Sequence, residues 1–269
     1  MKDKLIENTY THEFIKEEDY INALAKGLSL LEAFSTERQK LNVTQIAEKT
    51  QISRTAARRH LKTLKFLGYL DTDEYFYWLT HKVLRFSSTY LHSSHLSKIS
   101  QPILNLLSAQ TTLTFSVVVL DDNEIVPIAR SYLPQQENLR ISPYGVHLGN
   151  RLPAHATSTG KVLLAALSKQ QQFTWLKKYG LKRLTPFTHT DEIIFLNILK
   201  QISMQDYCLS IDEHELGIIA LAVPIIDSTG KHVAALNCIS HKNKVTQDYL
   251  TKQILPLLKN TASEMRNML

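Results

Sequence analysis

The chain has 269 residues, of which 43% are hydrophobic and 21% charged, and its formal net charge at pH 7 is +6. That length suits two domains better than one, and no apolar run reaches the roughly 20 residues of a membrane-spanning helix. The N-terminal stretch is polar and of mixed charge, without the apolar core of a secretory signal, so a cytoplasmic protein away from membranes is expected.

In chain order, residues 1–19 read as a flexible tail. A helix follows, with Ile21, Leu24, Leu28 and Leu31 along one side and Phe34 closing it. Residues 41–68 are the most informative stretch. Val43, Ile46 and Ala47 give a short helix one apolar face, with Thr44 and Gln45 at its start. Thr50, Gln51 and Ile52 form a tight break, and Ser53 is placed to cap a second helix. In that helix Ala57, Leu61, Leu64 and Leu67 recur at helical spacing, Gly68 ends it, and Arg54, Arg58, Arg59, Lys62 and Lys65 occupy the other side. A short helix, a turn and a slim basic second helix predict a helix-turn-helix. From Arg38 to Lys65 there are eight Lys or Arg and one Asp or Glu, a net of +7, which leaves the rest of the chain at −1. A solvated helix face explains most basic stripes, but coincidence with this spacing points to the phosphates of double-stranded DNA.

Two β-prone runs around Asp71, Asp73 and Glu74 predict a hairpin wing that packs more than it grips. Val83, Leu84, Phe86, Tyr90 and Leu91 suit a connecting helix, and the Ser-rich stretch after it a looser end. His92 and His95 are three residues apart, but without a carboxylate or thiol beside them they read as linker and not as a metal site. Beyond residue 98 the pattern turns mixed. Helix is expected at 99–107, strands at 113–120, 124–130 and 138–142, helices at 157–167, 170–179 and 191–204, and a strand at 207–212. A hairpin is expected at 218–226 and 233–240, and a last helix at 246–268 that Pro256 kinks or nearly opens. Cys208 and Cys238 sit in apolar runs outside any CxxC pair, which favours reduced core thiols.

Candidate ligand-binding residues gather in two places. Arg151, His155, Ser158 and Thr159 lie close together at a helix start, where free N–H groups suit a carboxylate and Gly160 allows close approach; an ordinary capped helix is the plain alternative. Asp212, Glu213, His214 and Glu215 read as a strand-end turn with one side chain reaching inward. Asn237 and Ser240 interrupt an apolar strand and need partners, in the core or on a ligand. Val117, Val119 and Leu221 are apolar candidates for sandwiching a ring. No nucleophile–base motif, HExxH or P-loop is present, so neither catalysis nor a cofactor is expected.

The stretches ALAKGLSLLEAF, LNVTQIAEKTQISRTAARRHLKTLKFLGYL, LPAHATSTGKVLLA, DEHELGIIALAVPIID and ILPLLKNTASEM together resemble the IclR family of bacterial transcriptional regulators over about residues 20–269. The resemblance implies an α+β protein: a winged helix-turn-helix at 20–80, a linker helix at 81–97 and a GAF/PAS-like effector-binding domain at 98–269. It implies homodimers or tetramers on operator DNA, with Arg54, Thr55, Arg58 and Arg59 at recognition-helix positions. It assigns Ser158, Thr159 and Gly160 to the effector loop and Asp212 to a pocket acid. Ala220 and Asn237 stand where some relatives have Cys and Ser, which disfavours the small oxo-acids of those relatives. The LPAHATS form is similar to the branch controlling aromatic-acid catabolism, so 4-hydroxybenzoate or protocatechuate is the expected effector. A different small organic acid remains open. So does a metabolite-binding module or enzyme whose helix-turn-helix docks a protein.

Overall fold

The computed structural model describes residues 5–7, 14–35, 38–131 and 147–269, and the chain divides into two compact units between Tyr90 and Leu91. In the first unit β1 (Leu5–Glu7) pairs antiparallel with β2 (Phe14–Lys16), so part of the expected tail is a short hairpin. Helices α1 (Asn22–Glu32), α2 (Val43–Thr50) and α3 (Arg54–Phe66) enclose Leu30, Leu41, Ile46, Leu61 and Leu64. Asn42 and Gln45 form a capping box that starts α2 just before Thr44. Gln51, left-handed at φ 56°, ends α2, and Ser53 caps α3 by accepting from the Ala56 N–H. Gly68, at φ +81°, turns the chain into the wing strands β3 (Leu70–Thr72) and β4 (Tyr77–Leu79). The acidic wing tip organises its own turn, since Asp73 accepts from the N–H groups of Tyr75 and Phe76.

One apolar stripe faces the opposite way from the usual reading. Ile21 at the N-cap and Leu24 and Leu28 on α1 are 65%, 58% and 51% exposed, while Leu30 is fully buried. Leu84, Phe86 and Tyr90 on α4 (Leu84–Ser93) are also exposed. Ser94 then caps α5 (His95–Thr111) through the Ser97 N–H, so the Ser-rich stretch is a helix break, and α5 begins four residues before the expected 99 and continues through Pro102.

The second unit is built on one antiparallel sheet of six strands in the order β7-β6-β5-β10-β9-β8. They are β5 (Thr114–Asp121), β6 (Glu124–Arg130), β7 (Leu152–Pro153), β8 (Cys208–Ile211), β9 (Ile218–Ile226) and β10 (His232–His241). The expected strand at 138–142 lies outside the described residues. Alternation sends Phe115, Val117, Leu221, Leu236 and Cys238 to one face, against α5 and α10 (Leu255–Arg266). A single turn of α-helix, α9 (Gln247–Tyr249), and a π-helical turn (Leu250–Ile254) precede α10, with Pro256 in its first turn, where a missing N–H is least costly. The other face carries Val118, Ile125, Ala222 and Ala235 under α6 (Ser158–Ala165), α7 (Lys169–Tyr179) and α8 (Glu192–Gln205).

Candidate nucleic-acid interface and effector site

On α3 the apolar spacing buries Ala57, Leu61 and Leu64 and leaves Arg54, Thr55, Arg58, Arg59, Lys62 and Lys65 exposed. None of these five basic side chains forms an ion pair among the described residues. Thr44 lies half-buried in the first turn of α2. A row of uncompensated cations beside a capped, slim helix start is a surface with phosphate-binding chemistry.

In the second unit cross-strand register sets out a polar row on the α6 face. Arg130 pairs with Ser116, Ser116 with Asn237, Asn237 with Ala222, and Ala222 with Cys208. Residues so paired project to the same side of the sheet. Arg130 joins this row because of a bulge: the β5–β6 register shifts between Val117 and Val118, so Ile128 and Ala129 both pack on the far core. Arg130 Nη1, Asn237 Oδ1 and Ser158 Oγ are buried on this side with no hydrogen-bond partner among the described residues. Burial pulls the Arg130 guanidinium below its ordinary pKa, though an arginine stays charged regardless. Ser158 opens α6, whose first N–H groups lack intrahelical partners; Thr157 satisfies that of Gly160. The row thus offers a cationic donor at one end and an acceptor two strands away, with Ser116 between them and small Ala222 beyond Asn237, while α6 packs on the same face of the sheet.

The remaining sequence candidates separate. Ser158, Thr159 and Asn237 are brought to this face and buried. At Gly160 a Cβ would stand 2.1 Å from the Ala154 carbonyl oxygen, so the glycine admits the 154–156 turn against α6. Arg151 instead pairs with Asp121 and, at 2.6 Å, with Glu124, bracing the β5–β6 turn in solvent. A ring nitrogen of His155 lies 2.8 Å from the Lys182 carbonyl oxygen, and burial holds the ring's pKa below the usual value. The Asp212 carboxylate is committed to the Gly217 N–H and to Lys242, which depresses its pKa; with φ at 60°, Asp212 shapes the strand-end turn. Ser240 pairs with Ile219 of the far core and faces away from Asn237. Val117 and Leu221 are likewise on the far face, and Val119 packs there too, so none of the three can flank a ring beside Asn237.

A winged helix-turn-helix joined to a sheet domain with a buried polar row defines a ligand-responsive DNA-binding regulator. Residues 23–74 match the IclR helix-turn-helix domain and residues 88–267 the C-terminal domain of the bacterial transcriptional regulator IclR. The chain belongs to the IclR family and is a transcriptional regulator, not an enzyme. It is 66% identical over 259 residues, 96% of either chain, to a p-hydroxybenzoate hydroxylase transcriptional activator of Acinetobacter baylyi. It is 51% identical to a Pca operon regulatory protein of the same organism, covering all of this chain and 96% of that one. Among solved structures, a doubly substituted PobR inducer-binding domain from Acinetobacter in complex with 3-hydroxybenzoic acid is 62% identical with a TM-score of 0.63, covering 65% of this chain and all of that one. The similarity spans both units, and these relatives are regulators of the aromatic-acid branch. Among the described residues no helix is long and apolar enough to cross a membrane.

Proposed function

We propose that this protein is a cytoplasmic regulator of aromatic-acid catabolic genes. It binds operator DNA through α3 and changes that complex on binding a hydroxybenzoate-type carboxylate, 4-hydroxybenzoate or protocatechuate. The observation that carries the ligand reading is the row Arg130–Ser116–Asn237 on the α6 face, where a buried cationic donor and a buried acceptor both lack hydrogen-bond partners among the described residues. A carboxylate answers Arg130 with a charge-assisted bond. A phenolic O–H on the far side of the ring donates to Asn237 Oδ1, and a second ring hydroxyl meets Ser158 Oγ. Two strand spacings separate the Cα atoms of Arg130 and Asn237 by about 10 Å, which leaves room for a benzene ring between the two side chains. The hydroxybenzoate-related relatives support the same class.

On the DNA side, Arg54, Arg58 and Arg59 take base edges and phosphates, with Thr44, Thr55 and Lys62 adding backbone contacts. One winged unit reads too few bases for a unique address, so a homodimer or tetramer is the working form. The exposed stripes Ile21–Leu24–Leu28 and Leu84–Phe86–Tyr90 are the surfaces offered for self-association. Fluorescence anisotropy on duplexes selected from the host genome tests this reading. Affinity should fall steeply between 50 and 200 mM salt, and 4-hydroxybenzoate should shift the curve. Failure to select any duplex would favour a helix-turn-helix that docks a protein.

A further inference from the structure

Lys161 and Glu213 are 1% and 5% exposed, and the lysine ammonium donates to Glu213 Oε1. Lys161 lies three residues after Ser158 on α6, and Glu213 follows β8 directly. Resting on the effector site above, we propose that this buried ion pair positions the start of α6 over the Arg130–Ser116–Asn237 row. Lys161 and Glu213 are thus positioning residues for effector recognition and touch no effector themselves.

Apolar contacts alone leave the helix without a fixed register. All eight residues of α6 are buried, and Val162, Leu163, Leu164 and Ala165 meet Val118, Ala222 and Ala235 through non-directional contacts. The ammonium–carboxylate bond is directional, and its acceptor is itself fixed. Ser210 Oγ donates to the same Glu213 oxygen at 2.8 Å, and Thr188 Oγ1 donates to the Glu213 carbonyl at 2.7 Å. Thr185 Oγ1 holds the preceding Asp212 carbonyl at 2.6 Å, and the Asp212 carboxylate is tied to Gly217 and Lys242. Through Lys161 this braced turn sets where Ser158 Oγ and the first amides of α6 stand above Asn237. Stability alone is a weak reason for such a pair, because burying two charges costs about as much as their attraction returns. Among the described residues Glu213 Oε2 is moreover buried without a hydrogen bond, with His189 Nε2 at 3.9 Å, an arrangement poorly suited to maximal stability.

The test uses the full-length protein and two variants, Lys161→Met/Glu213→Gln and Glu213→Asp. The first removes both charges while keeping an acceptor for Ser210; the second keeps the pair but draws the carboxylate back by one methylene. For each, 4-hydroxybenzoate affinity by calorimetry is compared with melting temperature and with operator affinity in the absence of effector. The expected result is effector affinity weaker by about tenfold in each folded variant, with both other quantities near wild type. Wild-type effector affinity in either folded variant would overturn the proposal. So would a loss matched by equal losses in melting temperature and operator binding, which marks a merely structural pair. If the unsubstituted protein binds no hydroxybenzoate, the effector reading itself fails, which is a separate outcome.

Discussion

Arg130→Met separates stability from recognition, because the two should move in opposite directions. Among the described residues Arg130 Nη1 is buried with no hydrogen-bond partner. An unsatisfied buried donor costs about 1–3 kcal/mol, and the partial exposure of this side chain puts it near the low end. Methionine has similar length and neither charge nor donor, and the backbone bond from Gln101 Nε2 to the Arg130 carbonyl, 2.7 Å, is unaffected. The unliganded variant should therefore be more stable by about 1 kcal/mol, raising the melting temperature by roughly 2–4 °C for a unit of this size. Effector binding loses a hydrogen bond to a charged group, about 1.5–3 kcal/mol, or roughly 10- to 150-fold in Kd. Thermal melting with and without 4-hydroxybenzoate, paired with calorimetric titration, reads both signs. A variant that melts lower yet binds as tightly as wild type would refute the reasoning.

Three further outcomes follow from other parts of the molecule. Gly160→Ala should lower the melting temperature, since its Cβ would meet Ala154 backbone atoms at 2.1 to 2.6 Å; overpacking of about 1–3 kcal/mol exceeds the roughly 1 kcal/mol gained in helix propensity, and an unchanged or higher value would contradict the packing. Arg58→Ala or Arg59→Ala should cost about 1–3 kcal/mol on the selected operator and narrow its margin over scrambled duplex, whereas Lys62→Ala or Lys65→Ala should weaken both alike and flatten the salt slope, as competition anisotropy would show. Burial is the main force holding the pKa values of both His155 and His214 below the ordinary histidine value of 6.5. The unfolded chain therefore takes up protons first: their contribution to stability is complete above pH 6.5 and is lost as pH falls from there through the folded values. Melting curves at pH 7.5 and 5.5 should show a drop that His155→Gln reduces, and a pH-independent melting temperature would exclude it.

The helix-turn-helix was legible because its determinants are local. Ser53, the spacing of Ala57, Leu61 and Leu64, and Gly68 each act within one or two turns. The stripe on α1 was visible but its direction was not, since Leu30 goes inward through tertiary packing while Leu24 and Leu28 stay outside. In the sheet, period-two alternation separates the faces without telling which one carries the site. Alternation alone cannot tell Val117, Leu221 and Ser240 from Ser116 and Ala222 as residues that line the site. Arg130 was missed for a sharper reason: only the bulge beside Ile128 and Ala129 turns it to the α6 face, and strict alternation places it opposite. Its one sequence signal was a lone charge ending an otherwise apolar run. Lys161 gave the same signal inside the apolar run of α6, and its partner Glu213 could be found only once β8 and α6 were folded together.

Calorimetric titration of the full-length protein with 4-hydroxybenzoate, protocatechuate, benzoate and glyoxylate tests the central claim most directly. The row with Arg130 at one end and Asn237 at the other predicts saturable heat from 4-hydroxybenzoate and protocatechuate. It predicts weaker binding of benzoate, which leaves Asn237 Oδ1 unanswered, and none from glyoxylate. Saturable heat from glyoxylate with none from either hydroxybenzoate would contradict it.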